Sequence, residues 1–201
     1  MKKLFIVMLC LSVSALVVSA NAQIRNEINQ ELEFARVETG ATSGVEMVED
    51  LSSDGLSIVK VAYKWFSGTA VADNKRIAIE MAQRDAYNTI SRAVEQEVNQ
   101  VADGYGSSCN GNTREAATSY WRQVSSSIIR GCAPLGDTNV EYIPSSGMYK
   151  VTAKMGMRGD RYNKMLDGAA QHRPAGLTPT ELNVFMQISV AVVQNIKVVT
   201  R

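Results

Sequence analysis

The sequence predicts an α+β domain: an antiparallel sheet covered on one face by a long alanine-rich helix, with additional helices at the C-terminus. Three observations predict it. "IVKVAYKWF" alternates with a period of two, "MYKVTAKMGM" does the same, and between them Ala78, Ala82, Ala86, Ile90, Val94 and Val98 recur every fourth residue. Period two marks a strand with one covered face and one wet one, and period four a helix with one apolar stripe.

The chain begins with a basic pair, Lys2 and Lys3, followed by the apolar run "LFIVMLCLSVSALVV" and the small-residue pattern "SANA" ending at Ala22. Residues 1–22 read as an export signal cut before Gln23, because the run is shorter than the ~20 residues of a spanning helix. An uncleaved anchor is the other reading. Cys10 follows bulky Met8 and Leu9, which does not suit lipid attachment. About 180 residues then remain, enough for one domain with a core of its own. Removing Lys2 and Lys3 lowers lysine plus arginine from 21 to 19 against 20 acids, so the exported chain is close to neutral. That balance disfavours a nucleic-acid partner, which requires a basic face, and strong electrostatic binding to a membrane.

Residues 23–44 read as an N-terminal helix, "QIRNEINQELEFAR", and a turn-rich linker. A core domain follows over 45–160. Asp54-Gly55 marks a turn between two strands. In the second strand Val59, Val61, Tyr63 and Trp65 are assigned to the covered face and Lys60 and Lys64 to the wet one, and Ser67-Gly68 is expected to end it. Asp73 or Asn74 caps the long helix. Its alanines suit close passage across strands, or alternatively a seam between two subunits. Glycines 104 and 106 end it. Asn112 with Glu115 fits a capping box for a second helix from Thr113 to about Ser126. From Ile128 the pattern reads as strand, broken at Pro134 and Gly136. "PSSG" at 144–147 makes a turn, and Tyr149, Val151, Ala153 and Met155 alternate with lysines and Thr152.

Residues 161–201 read as a helical extension. One helix covers Arg161 to Ala170. In the next, Thr178, Pro179 and Glu181 provide an N-cap, a first-turn proline and a capping carboxylate. Its second half, "ISVAVV", is also compatible with a terminal strand.

"KWFSGTAVADNKRIAIEMAQRDAYNTIS" and "IIRGCAPLGDTNVEYIPSSGMYKVTAKMGM" together resemble the LPP-twenty-like family of conserved bacterial envelope lipoproteins, over residues 56–157. The resemblance implies a small α+β domain of dodecin-like topology on the envelope. It supplies no catalytic residue, and this chain departs from the family in lacking a usable lipid-attachment cysteine.

Cys109 and Cys132 are the cysteines that survive export, and an even pair in an oxidising compartment predicts a disulfide. Two separate buried thiols are the alternative. Two cysteines and His172 are too few for a closed zinc site, so no metal or other cofactor is expected. His172, the single histidine, lies in a Pro/Gly loop without a serine elbow or a phosphate-cradling motif, so no catalytic residue is assigned. Glu46, Glu49 and Asp50 cluster on one strand and read as a solvated face, with a carboxylate-based envelope hydrolase as the rival. "RGD" at 158–160 reads as a strand-to-helix junction with Asp160 as its cap. Tyr63, Trp65, Trp121 and Phe185 are the candidates for a binding surface or small-ligand groove, with core packing as the competing reading. The function expected is that of an exported, non-enzymatic binding or assembly module, periplasmic, outer-membrane-associated or secreted. Its partners would be other envelope proteins or a second copy, through an exposed sheet edge or the terminal helix.

Overall fold

The computed structural model describes residues 42–52 and 55–198; the export segment, the helix read in 23–36 and Asp54 lie outside them. Five strands and four long helices follow in the order β1 (Ser43–Leu51), β2 (Ile58–Ala72), α1 (Lys75–Gly104), α2 (Gly111–Gly131), β3 (Ala133–Pro134), β4 (Asn139–Ile143), β5 (Met148–Arg158), α3 (Gly159–Ala170) and α4 (Pro179–Ile196). The sheet is antiparallel throughout. β2 and β5 form its centre, β1 is one edge, and β3 with β4 share the other edge along β5.

All four helices lie on one face. The register pairs Phe66 with Met155, Gly68 with Ala153 and Ala70 with Val151. Those residues, with Ala62 and Met157, are the sheet's contribution to the buried core. The covered face is therefore opposite to the one expected: Tyr63 and Trp65 project from the open face, and Lys64 from the covered one. The reason is size. α1 passes so close to β2 that a Cβ placed on Gly68 would strike the backbone of Ala82 and Ala86. Only small residues, Gly68 and Ala70 of β2 with Ala153 of β5, fit beneath the alanine row, and Ala78, Ala82 and Ala86 are fully buried there. For the same reason β2 continues through Ser67-Gly68 instead of ending. Lys64 is accommodated by lying half-buried, with its ammonium 5.2 Å from the Phe66 ring centre; burial lowers its pKa.

The helix caps are specific. Asn74 accepts hydrogen bonds from the backbone N–H of Arg76 and Ile77 at the start of α1. Asn110, not Asn112, caps α2 by accepting from Thr113 N–H at 2.9 Å. α2 runs on to Gly131, through the stretch read as strand. Thr178 and Glu181 form the expected capping box on α4, and "ISVAVV" is helical. α3 and α4 are not an appendage: Leu166, Phe185 and Ile188 share one core with Phe66, Val94 and Trp121.

Cys109 and Cys132 are free thiols rather than a disulfide. They flank α2, whose 21 residues separate its ends by about 30 Å at 1.5 Å per residue. A bridge requires the two Cα atoms within ~7 Å.

Candidate interaction surface

β1 carries three acids and no base, and cations from the centre of the sheet neutralise it. Lys154 of β5 donates to Glu46 at 2.9 Å, and its ammonium lies 4.8 Å from the ring centre of Trp65. Tyr63 donates its hydroxyl to Asp50 at 2.7 Å, and Arg158 reaches the same carboxylate at 3.1 Å. The Tyr63 hydroxyl, then the Leu51 N–H and the Arg158 charge, hold the Asp50 carboxyl below its ordinary range. Burial, then Asp50, pushes Tyr63 upward, so the phenol stays protonated. Glu49 points to the other face, opposite Lys60. The three acids are thus paired with cations or basic neighbours and do not oppose one another across a cleft.

Trp65 occupies the middle of the open face between two glycines, Gly44 on β1 and Gly156 on β5. A Cβ on Gly44 would meet the indole at 2.7 Å, and one on Gly156 would meet Leu135 at 2.7 Å. Gly44 thus leaves room for the indole over β1, and Gly156 leaves room for Leu135. The other two candidates are elsewhere. Trp121 is 1% exposed and donates to Ser189 within the core, and Phe185 is fully buried. The four residues therefore do not form one groove; packing claims two of them and the open sheet face the other two. A recess of about 150 Å³ above Trp121, between α1 and α2, is smaller than the ~300 Å³ of a small ligand site.

The "RGD" tripeptide closes on itself. Arg158 bonds Asp160 and Asp50 together, and Asp160 lies inside the first turn of α3 rather than capping it. His172 stacks on Tyr120, with ring centres 4.2 Å apart. Among the described residues no three His, Cys, Asp or Glu side chains gather as a metal-ligand set, and no helix is long and apolar enough to cross a membrane.

The residues that sequence reasoning missed are Val45, Met47 and Leu51. They project from β1 on the helix-side face, beyond the reach of the helix layer, and are exposed, Met47 by 61%. Among the described residues β1 also has an unpaired outer edge. Thr42 C=O accepts from Ser67 N–H and Ser52 N–H donates to Ser57 C=O, both on the β2 side. Backbone groups alternate sides along an antiparallel strand, so even-numbered residues bond β2 and odd-numbered ones face outward. Leu51 is capped, its N–H by Asp50 and its C=O by Arg158. Ser43, Val45, Met47 and Glu49 have no backbone partner among the described residues.

The other edges are blunted. Past Phe66, where β1 no longer covers β2, the Thr69 N–H is bonded by Asp85 of α1. The far edge is cut into β3 and β4 by residues 135–138, with Pro134 in the first piece. β1 is the long unbroken edge of the sheet.

Comparisons of the chain with protein-family models, curated proteins and solved structures gave no match.

Proposed function

We propose that the chain is an exported, non-enzymatic envelope module, akin to the LPP-twenty-like proteins, that works by binding another chain along β1. The observation that carries this reading is the outer edge of β1, where four odd-numbered residues have no backbone partner among the described residues and Val45 and Met47 are exposed. Natural sheets blunt a long exposed edge with charge, proline or a covering element unless it is used. This sheet does so at both other places, and among the described residues nothing covers the outer edge of β1. Backbone pairing supplies affinity in such strand addition, and the alternate side chains supply specificity.

A photo-reactive residue at position 47, expressed in the native host, tests the reading. The expected result is a discrete covalent adduct to another protein chain from position 47 and none from position 76, which is exposed at the start of α1. No adduct at position 47, or equal labelling at both, overturns it.

A further inference from the structure

We infer that the strand completing β1 is the β1 of a second copy, paired antiparallel across a two-fold axis at Met47. The inference rests on β1 being a working edge and names its partner.

A two-fold interface needs a strand complementary to its own reverse. "SGVEMVEDL" meets that condition along its full length in one register. With Met47 opposite Met47, all nine residues of β1 overlap, Val45 faces Glu49, Gly44 faces Asp50 and Glu46 faces Val48. No acid faces an acid. Shifting by two residues in either direction opposes Glu46 to Glu46, or Glu46 to Asp50, and like charges directly opposite are destabilising. A one-residue shift is excluded because it would set outward-facing odd-numbered residues opposite even-numbered ones, whose backbone groups already bond β2.

The backbone agrees with this register. Its hydrogen-bonded pairs are Val45 with Glu49, Met47 with Met47, and Glu49 with Val45. All are odd-numbered, and odd-numbered residues face outward. They supply about six hydrogen bonds. The Asp50 and Arg158 caps on Leu51 end the pairing on each side. Electrostatics permit the approach because Glu46 and Asp50 already carry Lys154 and Arg158. On the helix-side face the two Met47 side chains meet, and each Val45 lies beside them, covering apolar surface that the helix layer leaves open. The product is a continuous sheet through both copies, with helices on the same side of each half.

Cysteine cross-linking reads the register directly. In a background with Cys10, Cys109 and Cys132 replaced by alanine, Met47→Cys is expected to form a covalent dimer on mild oxidation, since a hydrogen-bonded pair has Cα atoms about 5.5 Å apart, within disulfide range. Val45→Cys and Glu49→Cys are each expected to stay uncoupled alone and to couple when mixed. In the unmodified chain, sedimentation should show a dimer whose dissociation constant rises at least about tenfold in Met47→Lys, which sets two ammonium groups on the axis. Cross-linking of Glu46→Cys or Val48→Cys to itself, in preference to Met47→Cys, overturns the register. A monomer at every concentration overturns the inference. If position 47 still captures a different protein in cells, the reading of β1 as a working edge survives that result; if it captures nothing, both fall.

Discussion

Gly68 shows how one residue sets the architecture. Its missing side chain lets α1 rest its alanine row on β2, and that contact decides which face of the sheet is covered. Gly68→Ala would drive a methyl group into the backbone of Ala82 and Ala86, where no rotamer change relieves the clash. It should destabilise the fold by about 3 kcal/mol, at the upper end of ordinary overpacking, as measured by urea unfolding. Gly147→Ala offers a contrast: nothing lies near its Cβ position, and the cost is confined to its positive φ of 69°. A Gly68→Ala variant as stable as the parent would show that α1 does not press on β2. The thiols teach a related lesson about geometry. An even cysteine count suggested a bridge, but a full helix stands between the partners. Burial pushes the Cys132 thiol up to about 11, as suits an inert half-buried side chain.

At the scale of elements, the N-termini of α2 and α4 are joined by one carboxylate. Glu181 accepts from Asn110 at 2.7 Å and from the Thr178 N–H and hydroxyl at 2.8 and 2.7 Å. The Asn110 bond, then the two from Thr178, hold its pKa at about 2, down from 4.5. A depressed carboxyl stabilises the folded state fully above its unfolded pKa and loses that contribution as pH falls toward the folded value. Acid should therefore loosen the start of α4 between about pH 4.5 and pH 2. Glu181→Gln should unfold at an acid midpoint less sensitive to pH in that window, followed by circular dichroism; an identical acid profile would contradict the pairing. Most elements were legible in the sequence. The stripe from Ala78 to Val98 gave α1, and Thr178-Pro179 with Glu181 gave the start of α4. The end of α2 was not legible, because Ser125, Ser126, Ser127 and two isoleucines are poor helix formers in isolation. In the fold these serine hydroxyls bond back to the carbonyls of Arg122 and Gln123, and Ile128 is buried in the core. Tertiary packing thus outweighs propensity there.

At the scale of the molecule, a one-sided sheet leaves an open face and two edges, and the chain treats each differently. Trp65 and the Asp50–Tyr63–Arg158 group occupy the open face, the break between β3 and β4 blunts one edge, and β1 remains. Strand alternation revealed the sheet but not its covered face, because hydrophobicity favoured Tyr63 and Trp65 whereas the close helix required Gly68 and Ala70. The β1 edge was hidden for another reason: its apolar and acidic residues alternate on both faces, and only the backbone direction separates those bonded to β2 from those left free. Amide hydrogen exchange along β1 as a function of protein concentration tests this account most directly. In dilute protein the amides of Glu46, Val48 and Asp50 should be protected by β2 while those of Val45, Met47 and Glu49 exchange freely; at high concentration the odd-numbered amides should become protected as well. Protection of the odd-numbered amides at every dilution, or their free exchange at every concentration, would contradict it.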